Sequence, residues 1–121
     1  MPKVLIVDDS AYLRNHLVKF LTEHGYETIP AEDGEEAVRI YRQVRPDVVL
    51  MDITMPKMNG LDALGRIRMF DPSARVIVLT ALGQKLTMGR AVRMGAKDFV
   101  VKPVLPSKLL AKVQWMLHHT V

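Results

Sequence analysis

KVLIVDDS, residues 3–10, is an apolar run that stops on two adjacent carboxylates, Asp8 and Asp9. The same figure recurs three times downstream: DVVLM is followed by Asp52, RVIVL by Thr80 and DFVV by Lys102. Apolar runs of this length, set between helical patterns, read as strands of a parallel sheet buried on both faces. In an open α/β sheet the carboxyl ends of such strands line the ligand crevice. Three carboxylates, one hydroxyl and one ammonium are therefore expected to share it.

Strands are expected near 3–8, 27–31, 47–52, 75–80 and 98–101, alternating with five helices. The first helix, about 10–24, carries Leu13, Leu17, Phe20 and Leu21 on one face and stops at Gly25, a left-handed cap. The second, about 35–44, repeats Ala37, Ile40, Tyr41 and Val44 at helical spacing, and Pro46 keeps it from running into the third strand. The third begins near Asn59 and ends before Asp71 and Pro72. The fourth, about 84–94, is the weakest: Thr87 and Gly89 lie inside it and its apolar positions make no clean stripe, which points to local mobility. The fifth, about 106–118, opens with Pro106 in the first turn and buries a stripe that includes Leu109, Val113 and Met116.

Crowding Asp8, Asp9 and Asp52 makes their charges repel unless a cation neutralises them. Magnesium takes oxygen ligands and is commonly held by one or two carboxylates plus phosphate oxygens, so the inventory suits phosphoryl transfer. Asp52 would be the nucleophile, forming an acyl phosphate. Lys102 and the metal would neutralise the transferring group, and Thr80 would donate a hydroxyl to one of its oxygens. A strand-end Asp is also a common helix cap or turn former, Thr80 an ordinary β-branched strand residue, and a lone Lys102 an ordinary solvated lysine. The joint occurrence at four of five strand ends favours the functional reading.

The motifs VLIVDDS (Val4 to Ser10), DVVLMDITMPKMNG (Asp47 to Gly60), VIVLTAL (Val76 to Leu82) and GAKDFVVKP (Gly95 to Pro103) resemble the receiver domain of bacterial two-component response regulators. The resemblance runs from about Lys3 to Leu117. It implies a single receiver domain over 1–121 with a doubly wound (βα)5 fold, flavodoxin-like, in strand order 2-1-3-4-5. It implies that Asp52 accepts a phosphoryl group from a sensor histidine kinase, and that Asp8, Asp9, Asp52 and the main-chain carbonyl of Thr54 hold Mg2+ or Mn2+. Thr80 and Lys102 would bind the phosphoryl oxygens, Thr80 and Phe99 would shift on phosphorylation, and Lys102–Pro103 would be cis. Phe99 stands where Tyr is frequent and lacks the hydroxyl that an exposed ring can use. Taken from spacing alone, Phe99 is simply a core residue.

Thr54 and Leu82 stand two residues after Asp52 and Thr80, positions that border the attacking water in the family. Leu82 offers that water no hydrogen bond, so a long-lived phosphorylated state is expected. A phosphatase of the haloacid-dehalogenase type also uses a strand-end Asp, Thr, Lys and magnesium, but wants an Asp where this chain has Thr54. The expected chemistry is therefore self-phosphorylation and slow autodephosphorylation, without turnover of a foreign substrate.

With 121 residues and 49% apolar content the chain fits one globular domain with a sizeable core. It has no cysteine, which excludes disulfides, thiol nucleophiles and thiolate zinc sites. It opens without a signal peptide and has no run long enough to span a membrane, so the expectation is a cytoplasmic protein without membrane insertion. Residues 1–52 carry 6 basic and 10 acidic side chains, residues 53–121 carry 11 and 3. The basic set includes Lys85, Arg90, Arg93, Lys97, Lys108 and Lys112, a face suited to an acidic protein partner. No nucleic-acid-binding motif accompanies it, and direct DNA binding is not expected.

The stretches DITMPKMNG, ALGQ and KPVLPSKL are most similar to stand-alone CheY-like chemotaxis regulators. That resemblance implies output through the face of helix four, strand five and helix five to a flagellar motor switch protein. The alternative is a receiver cut from a longer regulator such as a transcription factor. Trp115, on the exposed side of the last helix, reads as an interface residue or as plain amphipathic surface.

Overall fold

Five strands alternate with five helices in a computed structural model that describes residues 1–53, 60–81 and 85–119. In order they are β1 (Lys3–Val7), α1 (Ala11–Glu23), β2 (Glu27–Ala31), α2 (Gly34–Val44), β3 (Val48–Asp52), α3 (Gly60–Phe70), β4 (Val76–Thr80), α4 (Lys85–Arg93), β5 (Asp98–Val101) and α5 (Pro106–His118). All pairings are parallel and the sheet order is β2-β1-β3-β4-β5, as the resemblance implies.

Strand periodicity divides the core into two layers. Leu5, Val7, Val49, Met51, Val76 and Val78 pack with α2, α3 and Ala91 of α4. Their neighbours Val4, Ile6, Val48, Leu50, Ile77 and Leu79 pack with Leu17 and Leu21 of α1 and with Leu109, Val113 and Met116 of α5. Helices on both faces explain why β1, β3 and β4 read as unbroken apolar runs. Removing each such large side chain from water contributes roughly 1.5–3 kcal/mol.

Helix ends follow local chemistry. Ser10, not Asp9, caps α1, its hydroxyl accepting from the Leu13 amide at 3.3 Å. The helix closes at His24 and Gly25, the glycine taking φ +90°. Asp33 caps α2 through the Glu36 amide at 2.9 Å, and Arg45 closes it in the left-handed region at φ 48°, just before Pro46. Pro106 occupies the first turn of α5. In α4, Ala91 is the one buried side chain among the described residues, while Leu86 and Val92 lie in solvent.

A half-buried polar contact ties α2 to the turn after α3. The Tyr41 hydroxyl donates to Asp71 Oδ2 at 2.7 Å, and Asp71 Oδ1 accepts from the Ser73 amide at 3.1 Å. Burial first, then the Asp71 carboxylate, raises the Tyr41 pKa; the Tyr41 hydrogen bond in turn lowers that of Asp71 against the opposing effect of burial.

Candidate functional site

Sheet register assembles the strand-end residues. Val7 pairs with Met51, so Asp8 leaves β1 beside Asp52, the last residue of β3. Asp52 pairs with Leu79, which sets Thr80 one residue further along, and Thr80 pairs with Val101, which sets Lys102 one beyond that. The chain reverses its order across the sheet between β1 and β3, so this is the switch point of the fold. The first strand ends at Val7, one residue short of expectation, yet the Asp8 amide still donates to Ala31 O at 3.2 Å and the carboxylate is held in place.

Asp8, Asp52 and Thr80 are the buried polar side chains among the described residues, and Asp9 lies in solvent. Lys102 Nζ stands 3.2 Å from Asp52 Oδ2 and 3.4 Å from Asp8 Oδ2. The second contact is an ion pair, and among the described residues the buried Asp8 Oδ2 has no well-aligned hydrogen bond. Asp8 Oδ1 accepts from the Ser10 amide at 2.8 Å. The Lys102–Pro103 peptide is cis, as expected, and the Lys102 amide donates to Thr80 O at 2.7 Å. Among the described residues, the Thr80 hydroxyl makes a long contact, 3.4 Å, to the carbonyl of Ala81.

Electrostatics follow from this crowding. Burial raises the Asp8 pKa and the Asp52 charge adds to it, against the Ser10 amide and Lys102. For Lys102 burial works toward the neutral amine, but the charges of Asp52 and Asp8 outweigh it and its pKa rises. The ammonium is therefore a fixed positive charge.

Carboxylate oxygens of Asp8, Asp9 and Asp52 lie within 4.8 Å of one another. Three hard oxygen donors against one ammonium, with a buried oxygen left without a hydrogen bond, fit a divalent cation such as Mg2+ or Mn2+. Thr54 and Leu82, the two positions expected to border the attacking water, lie outside the described residues, as does the Thr54 carbonyl.

The family model for the response regulator receiver domain matches residues 4–114. The chain belongs to that family. Among the curated relatives of this receiver domain, the chemotaxis protein CheY of Thermotoga maritima is 49% identical over 109 residues, covering 89% of this chain and 91% of its own. Among solved structures, CheY4 of Vibrio cholerae superposes with a TM-score of 0.91 at 34% identity, over 97% of this chain and 99% of its own. The CheY of a CheX-CheY-BeF3-Mg2+ complex from Borrelia burgdorferi matches at 43% identity and TM-score 0.88, over 93% of this chain and 87% of that one.

Sequence reasoning missed one residue that shapes this receiver site. Arg14, on α1, donates to the main-chain carbonyl of Asp8 at 2.6 Å and lies 3.9 Å from Glu32 after β2, with its side chain only 11% exposed. Its signal was its place next to the Leu13–Leu17 stripe, where a charge needs a partner to be covered. Phe99 is half-buried against the α2–α4 layer, with Lys112 Nζ 5.7 Å from its ring centroid. Lys112, counted with the free basic face, is instead held by Asp98 at 2.9 Å.

Proposed function

We propose that this receiver domain is a phosphoacceptor switch whose Asp52 takes a phosphoryl group from a sensor histidine kinase. The observation that carries the reading is the buried Asp52 carboxylate with the Lys102 ammonium 3.2 Å away, at the end of β3 beside Asp8. An Asp52 oxygen attacks phosphorus as the phosphorus–nitrogen bond of the donor phosphohistidine breaks, and the imidazole leaves with the electron pair. Lys102 neutralises charge on the incoming group, and the Thr80 hydroxyl turns from Ala81 O to donate to one of its oxygens. Asp8, Asp9, Asp52 and the Thr54 carbonyl would hold a divalent cation, which supplies further neutralisation of the transferring phosphoryl oxygens. The Mg2+ of the Borrelia burgdorferi CheX-CheY-BeF3-Mg2+ complex supports that part of the reading.

Once Thr80 has turned, Phe99 moves inward and reshapes the face of α4, β5 and α5. Leu86, Val92, Val101 and Leu105 are exposed on these elements and the loop between them, as a protein-binding face requires. Relatives named for chemotaxis favour an output of that type, such as a flagellar motor switch protein in the cytoplasm. The family match favours a switch over a phosphatase, with self-phosphorylation and slow self-hydrolysis as the whole of the chemistry. Among the described residues, no helix is long and apolar enough to cross a membrane.

The test is intact-protein mass after incubation with Mg2+ and acetyl phosphate, beside Asp52→Asn. One phosphoryl adduct, lost in the variant and in chelator, supports the proposal. An adduct that persists in Asp52→Asn, or none with any phosphodonor, defeats it.

A further inference from the structure

At the amino ends of β4 and β5, the edge of the sheet opposite Asp52, a cavity of about 490 Å³ opens beside α5. Its floor is apolar, from Pro72, Trp115 and Met116, and its rim carries Arg75, Lys97 and His119. Among the described residues, no acidic side chain lines it. The size is that of an ordinary ligand or side-chain anchor pocket. It does not include Phe99, Val101 or Leu105; it shares α5 with the face assigned above to output but lies at the carboxyl end of that helix.

Charge at this edge is unbalanced for a structural reason. The two acids that could offset Arg75 and Lys97 are already engaged: Asp71 by Tyr41 at 2.7 Å, by Ser73 and by Arg45 at 3.6 Å, and Asp98 by Lys112 at 2.9 Å. Among the described residues, neither Arg75 nor Lys97 has a carboxylate within ion-pair distance. Trp115, 53% exposed, lines the same cavity. Its indole is stacked on the His119 imidazole, ring centroids 4.2 Å apart and planes within 6°. The imidazole is fixed in turn, its Nδ1 donating to the Trp115 carbonyl at 2.9 Å. Arg68 donates to the Pro72 carbonyl and steadies the opposite wall. An exposed tryptophan that shares a cavity with cations lacking carboxylate partners among the described residues has the composition of a binding hot spot, and its stack on His119 favours one ring orientation before a partner arrives.

We infer that this cavity docks an acidic peptide segment of a partner protein, an apolar side chain entering against Trp115 and Met116 while flanking carboxylates pair with Arg75 and Lys97. Charge complementarity selects the partner: an acidic ligand is drawn to the site and a basic one is refused. The inference stands independently of the phosphoacceptor reading, since none of its residues belongs to the strand-end site.

The probe is a random dodecapeptide library displayed on phage, selected on the full chain and counter-selected on Arg75→Glu/Lys97→Glu. Each recovered peptide is titrated against the free protein while the emission of Trp115, the chain's one tryptophan, is followed. The expected peptides carry Asp or Glu on both sides of Leu, Phe or Trp and shift Trp115 emission to the blue. Their binding weakens by about tenfold or more in the charge-reversed variant and falls with added salt. Arg75→Gln/Lys97→Gln, with its fold checked by far-UV circular dichroism, gives a milder loss in the same direction. Recovery of no peptide, of peptides without acids, or of peptides whose affinity survives charge reversal overturns the inference. So does a single-stranded oligonucleotide that displaces the peptides and binds more tightly, which would make the cavity a nucleic-acid site.

Discussion

Replacing Asp8 by Asn keeps the side chain's shape and removes one charge from the strand-end site. One of its oxygens lies within 4.8 Å of an oxygen of Asp9 and of Asp52, and at an effective dielectric of about 20 each such pair repels by roughly 3.5 kcal/mol. The attraction lost with the charge is the ion pair to Lys102 at 3.4 Å, about 5 kcal/mol on the same footing. Two repulsions exceed one attraction by about 2 kcal/mol, and screening of the exposed Asp9 trims this to about 1–2 kcal/mol. In chelator Asp8→Asn should therefore be more stable than the wild type, with a melting temperature higher by about 3–6 °C. The gap should close in acid: Asp8 has a raised pKa, so it is neutralised early as pH falls and the wild type then loses the same repulsion. Urea denaturation followed by far-UV circular dichroism, in chelator and in excess Mg2+, measures both halves. Mg2+ should stabilise the wild type by mass action and stabilise Asp8→Asn far less. A variant less stable than the wild type in chelator would refute the reasoning, because the carboxylates would then not be in net repulsion.

Further outcomes follow from other contacts. Arg14→Met frees the Asp8 carbonyl from its clamp and should weaken Mg2+ binding by about tenfold with the fold retained, Arg14→Lys recovering part of the loss; calorimetric titration with Mg2+ decides. Tyr41→Phe removes a hydrogen bond to a carboxylate and should cost about 1–2 kcal/mol in urea at neutral pH. The Asp71 pKa is lowered in the fold, so that contribution is present above the ordinary Asp value near pH ~4 and lost as pH falls through the folded value, where the variant and wild type should converge. Gly60→Ala sets a Cβ into the Asp52 carbonyl oxygen and the Cα of Ile53, and should cost about 3 kcal/mol or unfold the chain, read from the same curves. Leu82→Gln should hasten loss of the phosphoryl adduct several-fold, and an unchanged decay of that mass removes the shielding argument.

The sequence carried the fold because its signals were local and repeated. Alternation could not be read in β1, β3 and β4, but their unbroken apolar character was itself the mark of a sheet covered on both faces, and Asp8, Asp52 and Thr80 fell where each run stopped. The order β2-β1-β3-β4-β5 and the cis peptide at Lys102–Pro103 came from family resemblance, since neither follows from periodicity. What stayed hidden depends on contacts between residues distant in sequence. Arg14 reads as a surface charge until β2 brings Glu32 beside it; the Tyr41–Asp71 and Lys112–Asp98 pairs join residues of different elements. Those same pairings engage Asp71 and Asp98, the acids nearest in sequence to Arg75 and Lys97, which composition alone could not show.

On the function proposed above, the Asp52 carboxylate itself becomes the acyl phosphate. Reduction by borohydride after incubation with acetyl phosphate and Mg2+ converts such an aspartyl phosphate to homoserine, which peptide mass mapping locates. The expected product is homoserine at position 52 alone, dependent on Mg2+ and on Lys102. Homoserine at Asp8 or Asp9, or a phosphoryl adduct that borohydride leaves unchanged, would contradict it.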